Sequence, residues 1–174
     1  MKHRFLILVA ICTSSVLFGQ KIDFDKKLKD LGVELYKPTP PIANYVKAVR
    51  TGNLIFLAGH GPTFADNTNI TGKVGKDLTI EQGAAAARQV GIALLSTLKG
   101  EIGDLNKVKR IVKVLGMVNC TENFTDQPKV INGFSDLMVA VFGDKGKHAR
   151  SAVGMNALPQ NISVEIEMIV EVED

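Results

Sequence analysis

The C-terminal segment, residues 146–174, contains the side chains best suited to chemistry. Arg150 stands at the entrance of a predicted β-strand, and Glu165 and Glu167 stand two residues apart in the next predicted strand. An arginine offers a planar fork of N–H donors that binds a carboxylate through two parallel hydrogen bonds. Two acids at this spacing point to the same face of a strand. The pattern fits either a carboxylate site or a surface arginine that is solvated or paired with an acid of a neighbouring strand.

The elements that must position these residues can be predicted from periodicity and turn signals. The chain has 174 residues, of which 45% are hydrophobic and 22% charged, so it fits one domain with one core. Thr79 and Gln82 form a capping box that predicts the start of a long helix. In chain order we expect a short helix within 21–32, strands at 46–50 and 53–60, a helix from 79, a strand at 108–120, a helix at 130–142 and two C-terminal strands joined by a Leu-Pro turn.

This order predicts an α+β fold, a mixed sheet of five or six strands with two helices on one face. The other sheet face would then lack a cover. Oligomerisation is the obvious way to bury it if it is apolar.

The N-terminus differs in character from the rest. Lys2, His3 and Arg4 precede an apolar run and then small residues, the layout of a secretory signal peptide. We expect residues 1–19 to be the signal, 20–174 to be the single domain, and the mature protein to be exported, periplasmic or secreted, with no membrane contact after cleavage. The alternative is an amphipathic or buried first helix.

Removal of this segment lowers the net charge of the chain. Without Lys2 and Arg4 the 21 basic residues become 19, against 18 acidic ones, a net charge of +1, so no nucleic-acid partner is expected. Cys120 would be the one remaining cysteine, which excludes an internal disulfide. It is interpreted as a small apolar residue, with a reactive thiol as the alternative. His60 and His148 fit no metal-ligand spacing, and no cofactor is predicted.

Several separated segments carry a family resemblance. They are "ANYVKAVRTGNLIFLAGHGP", "GKVGKDLTIEQGAAAARQVGIALL", "VKRIVKVLGMVN", "FTDQPKVINGFSDLMVAVFG" and "HARSAVGMNALPQNISVEIEMIVEV". Together they resemble the RidA/YjgF-type proteins, also called Rid or L-PSP endoribonuclease-like, in a longer branch with a proline-rich N-terminal passage. The resemblance implies a chorismate-mutase-like homotrimer with clefts between subunits. It also implies hydrolysis of 2-imino acids to 2-keto acids and ammonia.

The resemblance assigns roles to the charged residues. Arg150 would bind the substrate carboxylate, and Glu165 would orient or deprotonate the attacking water. Glu167 is interpreted as structural. A solvated acid pair, or a salt bridge with Arg150, remains the alternative for the two glutamates.

Three further positions match the cleft of the family. Tyr45 would line it, the backbone of Gly59 would approach the ligand, and Asn132 would lie near the start of the second long helix. Without the resemblance, Tyr45 would be interpreted as a core or interface aromatic, and Asn132 as a polar residue of a first helical turn.

The chain departs from the family pattern at two positions. Ala152 replaces the usual cysteine after "RS", where the backbone often lines the site. "AGH" replaces "SGQ", so His60 would place a titratable imidazole near the cleft mouth; a polar loop residue is the alternative.

Three functions remain open at this point. The first is hydrolytic deamination of enamines or imines. The second is a trimer without enzymatic activity that binds small carboxylates or acts as a chaperone. The third, an endoribonuclease, is disfavoured by the near-neutral charge. Export conflicts with the cytosolic origin of imines made by dehydratases.

Overall fold

The computed structural model describes residues 22–41 and 43–173; the predicted signal peptide lies outside them. The elements in chain order are α1 (Phe24–Asp30), β1 (Ala48–Thr51), β2 (Leu54–His60), α2 (Ile80–Ile102), β3 (Val108–Asn119), α3 (Gln127–Phe142), β4 (Ala149–Met155) and β5 (Val164–Val172). No helix in these residues is long and apolar enough to cross a bilayer.

The five strands form one mixed sheet in the order β1-β2-β5-β3-β4. The β3–β4 pair is parallel, and the other pairs are antiparallel. Helices α2 and α3 pack together on one face, where the apolar side chains of every second strand residue join them in one core. The predicted α+β sheet with two long helices on one face is confirmed.

Local signals account for the helix boundaries. Thr79 and Gln82 form the predicted capping box at the start of α2, which satisfies two N–H groups that lack a partner within the helix. Helix α3 begins three residues earlier than predicted, at Gln127, with Pro128 in its first turn, where a missing N–H costs little. Gly133 lies against the backbone of Ala84, where a β-carbon would overlap the carbonyl oxygen. The helices therefore pack closely.

The two C-terminal strands are consecutive in the chain but not adjacent in the sheet. Strand β4 lies at the edge, paired only with β3, whereas β5 is inserted between β2 and β3. Because α3 returns the chain to run parallel to β3, the connection through Pro159–Asn161 crosses β3 before β5 begins. The sequence-based idea that Arg150 and Glu165 stand on neighbouring strands is therefore wrong.

The sheet face away from the helices carries apolar side chains with little cover. We call it the open face and define it by residues that register across the strands: Val49, Phe56, Leu115, Met117 and Ile169. Val49 and Phe56 are exposed, and the other three are half-buried. The predicted uncovered face is present, and it carries these apolar residues beside Glu165, Glu167 and Lys113.

Candidate functional site

Arg150 lies on the helix side of the sheet, at its β4 edge. It registers with the fully buried Val114 on β3. Its guanidinium turns toward α3, where Nη1 donates to Asn132 Oδ1 and to Ser135 Oγ, each at 2.9 Å. Nη2 lies 3.5 Å from the carbonyl oxygen of Pro128. The half-exposed arginine thus offers positive charge and donors beside the first turns of α3, an arrangement that can bind a carboxylate.

Ala152 follows on the same side of β4. It registers with Gly116, where a β-carbon would meet Ile131 Cδ1 of α3 at 2.6 Å. Arg150, Asn132, Ser135 and Ala152 therefore belong to one region, which we call the arginine cluster. Sequence reasoning missed Ser135; its spacing of three residues from Asn132 on a helix was the available signal.

Glu165 lies on the open face, in a second cluster. It registers with Met117, and its carboxylate covers Gly59, where a β-carbon would overlap Oε1. A bulge between Leu57 and His60 bends β2 at this point. We call Glu165 and Gly59 the glutamate cluster. The family-based expectation that the Gly59 backbone approaches a ligand stays a prediction; in the structure the Glu165 carboxylate lies against Gly59.

The environment of Glu165 favours its protonated form. Burial raises the pKa of Glu165, and the negative charge of Glu167 raises it further, because both effects disfavour a second charge. A carboxylate with a raised pKa accepts a proton more readily near neutral pH than an exposed one. Glu165 is therefore suited to move a proton.

Glu167 and Tyr45 are more exposed. Glu167 contributes to a shallow hollow of 310 Å³ on the open face, together with Phe56 and Lys113. Tyr45 precedes β1, and its side chain is half exposed. Neither side chain lies in the arginine cluster.

His60 is placed differently from its predicted position. Its side chain is 7% exposed and points to the helix side of the sheet, with Nδ1 2.7 Å from the Ala58 carbonyl oxygen and Nε2 2.8 Å from Thr97 Oγ1. The bulge in β2 brings His60 into register with the buried Ile166. Burial, with a contribution from the charge of Lys47, lowers the pKa of His60. The expected imidazole at a cleft mouth is therefore corrected to a buried ring under the sheet.

Cys120 follows β3 and is buried. Gln127 Nε2 lies 3.7 Å from its sulfur. Within residues 22–41 and 43–173, no group of three or more His, Cys, Asp or Glu side chains is placed to hold a metal ion.

Comparison with known proteins supports a family assignment. A family model described as "YjgF/chorismate mutase-like, putative endoribonuclease" matches residues 25–172. Protein TCP17 of Trypanosoma cruzi is 39% identical over 148 residues, which cover 84% of this chain and 92% of TCP17. The crystal structure of Atu1372 from Agrobacterium tumefaciens superposes with a TM-score of 0.80 at 40% identity, covering 86% of this chain and 94% of that one.

A further relative carries an enzyme name. The 2-iminobutanoate/2-iminopropanoate deaminase of Dermatophagoides farinae is 29% identical over 134 residues, covering 76% of this chain and 89% of the deaminase. The match of the family model spans nearly all of the described residues, and the sheet order and helix placement provide the fold that it implies. The chain belongs to the YjgF/chorismate mutase-like family.

Proposed function

We propose that this protein hydrolyses reactive enamine and imine intermediates, specifically 2-imino acids, to 2-keto acids and ammonia. The observation that carries the proposal is a guanidinium positioned for a carboxylate together with a glutamate whose pKa is raised. These are the two groups that a 2-imino acid needs, one for its carboxylate and one for the water that attacks its C=N carbon. The name of the mite relative supports the substrate class.

The proposal includes a homotrimer with its sites between subunits. Within one chain, Arg150 and Glu165 face opposite sides of the sheet, so one chain alone does not bring them to the same substrate. Contact between the glutamate cluster of one subunit and the arginine cluster of another would complete the site. The apolar open face supplies surface that such an assembly would bury.

The chemistry then follows from the two clusters. Arg150 binds the substrate carboxylate through two parallel hydrogen bonds and fixes the imine carbon in place. Ionised Glu165 takes a proton from water as the oxygen forms its bond to that carbon. The C=N π electrons move to the nitrogen, which receives the proton that Glu165 took from water, and a carbinolamine forms. Glu165 then moves the hydroxyl proton of the carbinolamine to its nitrogen. The C–N bond breaks, ammonia leaves with the bonding electrons, and the C–O bond becomes the carbonyl of the 2-keto acid.

Two other functions would each use only one region of the molecule. Simple carboxylate binding needs the arginine cluster alone, which is already organised by Asn132 and Ser135. A chaperone-like trimer would use the apolar open face. The family description also names an endoribonuclease. Without residues 1–19 the net charge is only +1, and this does not support RNA binding, because affinity for nucleic acids depends on basic residues that neutralise phosphates.

A trapping assay tests the proposal. An amino-acid oxidase generates a 2-imino acid in the presence of semicarbazide, which traps the imine as a semicarbazone. Chain 20–174 should lower semicarbazone formation in proportion to its concentration, and Glu165→Gln should not. Unchanged trapping at an excess of the wild-type protein over the oxidase would reject imine hydrolysis, and pyruvate binding would then test the carboxylate-binding alternative.

A further inference from the structure

We propose that Ser135 and His148 are positioning residues that hold the guanidinium of Arg150 so that its Nε–Nη2 edge faces the substrate carboxylate. That the bound carboxylate belongs to an imine substrate rests on the proposed function. That Ser135 and His148 position the guanidinium does not. Neither residue was singled out by the sequence for this role.

The tautomer of His148 follows from its neighbours. Nδ1 lies 2.7 Å from the carbonyl oxygen of Gly146. A carbonyl can only accept, so Nδ1 must carry a hydrogen. In the neutral ring Nε2 is then an acceptor, and it lies 3.1 Å from Ser135 Oγ. The hydroxyl of Ser135 therefore donates to His148.

This donation fixes what Ser135 offers to Arg150. With its hydrogen directed at His148, the Ser135 oxygen presents lone pairs to Nη1 of Arg150 at 2.9 Å. Asn132 Oδ1 accepts from the same nitrogen at 2.9 Å, so both hydrogens of Nη1 have partners. Nη2 donates one of its two hydrogens to the Pro128 carbonyl oxygen in a long bond of 3.5 Å. The Nε hydrogen and the other Nη2 hydrogen form a side-on fork, the geometry that a carboxylate binds with two parallel bonds.

The surroundings of His148 keep the ring neutral. It is half-buried, with the ring of Phe134 on α3 at a centroid distance of 5.8 Å and nearly edge-on. Burial and the positive charge of Arg150 lower the pKa of His148, which the bond to Gly146 opposes only in part. The neighbouring charges Lys147 and Asp144 pair with each other at 2.7 Å in the exposed turn before β4.

Protonation of His148 would reverse this arrangement. Nε2 would become a donor, so the Ser135 hydroxyl would lose its acceptor and would have to turn its hydrogen elsewhere. A second positive charge would also stand close to Arg150. The hold on the guanidinium should therefore weaken in acid, as the pH falls through the lowered pKa of His148.

Four variants separate positioning from simple packing. Ser135→Ala removes the link, and His148→Phe keeps an aromatic ring but has neither the acceptor for Ser135 nor the donor for the Gly146 carbonyl oxygen. His148→Gln restores an acceptor for the Ser135 hydroxyl. Ser96→Ala is the matched control, because Ser96 is a buried serine on α2 that lies outside both clusters. Like Ser135 it both donates and accepts: its hydroxyl donates to the Ile92 carbonyl oxygen and accepts from the Tyr36 N–H.

The first readout is carboxylate affinity in the assembled protein. Pyruvate serves as the probe for calorimetric binding, and KM and kcat are taken from the trapping assay. We expect Ser135→Ala and His148→Phe to raise the pyruvate Kd and KM about 3- to 10-fold, with kcat changed by less than about twofold. His148→Gln should recover most of the affinity, and Ser96→Ala should match wild type. Wild-type affinities in folded Ser135→Ala and His148→Phe would overturn the inference.

The second readout needs no ligand or activity. Nitrogen-15 NMR should show the Nδ1–H tautomer of His148 at neutral pH, and the Arg150 Nε–H signal should shift as His148 titrates. Ser135→Ala should abolish that shift. The inference would be overturned, even if the imine is hydrolysed, by an Nε2–H tautomer of His148. It would also be overturned if the Arg150 Nε–H chemical shift did not change while His148 titrates. A coupled titration without turnover would instead reject the proposed function and leave the positioning role in place.

Discussion

Arg150 and Glu165 face opposite sides of one sheet, with β3 between their strands. Arg150 registers with Val114, whose side chain is buried under the helices, and Glu165 registers with Met117 on the open face. Side chains of residues an odd number of positions apart on a strand point to opposite faces, so the salt bridge considered from sequence does not form within the described chain. Each half of the proposed site can therefore be tested separately.

Arg150→Ala should weaken substrate and pyruvate binding by about 10- to 100-fold, because charge-assisted hydrogen bonds contribute roughly 1.5–3 kcal/mol each. Arg150→Lys should rescue poorly, since an ammonium keeps the charge but loses the fork. Calorimetry with pyruvate and the trapping assay measure both effects. Because the arginine is half-exposed, the mass of the assembly should not change. An unchanged affinity would make Arg150 an ordinary strand-end residue.

Glu165→Gln should lower kcat by about 10²- to 10⁴-fold, the usual contribution of a general base, and leave pyruvate binding intact. In wild type the rate should rise with pH through the raised pKa of Glu165, above the usual 4.5. Glu167→Gln removes one cause of that shift, so the acidic limb of the pH–rate profile should move to lower pH. If the acidic limb of the Glu167→Gln profile does not move, Glu165 is not the group that transfers the proton.

The same pKa shift has a consequence for stability. Because the native state holds the Glu165 proton more tightly than the unfolded chain does, the stability contributed by this group is full below pH 4.5 and is lost as pH rises through the raised pKa. Glu165→Gln should therefore unfold at the same or a higher temperature than wild type at pH 7. A clear fall in its Tm would show that the ionised carboxylate stabilises the fold.

Gly59→Ala should displace the Glu165 carboxylate, because the added β-carbon would overlap Oε1. We expect turnover to fall at least about tenfold while pyruvate affinity changes little. Gly100→Ala is the matched control: Gly100 lies in α2 with no atom within 4 Å of its would-be β-carbon, and this change should stabilise the helix by about 0.5–1 kcal/mol. Kinetics and thermal unfolding of both variants provide the comparison. Normal turnover in Gly59→Ala would show that the contact is unimportant.

Phe56→Lys should break the proposed trimer, because it places a charge in the middle of the open face. Phe64→Lys is its control, since Phe64 is equally exposed at 41% but lies in the loop after β2. Light scattering should give about three times the monomer mass for wild type and Phe64→Lys. A monomer mass is expected for Phe56→Lys. If the wild-type protein is a monomer, the site cannot lie between subunits.

Export is tested at the N-terminus. If residues 1–19 are a signal peptide, mass spectrometry of the natively expressed protein should find a chain that starts at Gln20 or Lys21. Fractionation should place that chain outside the cytosol. An intact Met1 in the cytosolic fraction would contradict the prediction.

The sequence alone determined the features that depend on near neighbours in the chain. The capping box of Thr79 and Gln82 predicted the start of α2, and the alternation in β5 placed Glu165 and Glu167 on one face. These signals are legible because helical and strand periodicities relate residues only a few positions apart. The family resemblance added the fold, now confirmed, and the roles of Arg150 and Glu165, which stay predictions.

The tertiary structure decided the features that depend on pairing between distant segments. Insertion of β5 between β2 and β3 separated Arg150 from Glu165, and the bulge before His60 turned its ring under the sheet. A shift of one residue in register moves every side chain of a strand to the other face, and no local pattern reports such a shift. The contact of Arg150 with Ser135, and of Ser135 with His148, likewise exists only because α3 packs beside the edge strand β4.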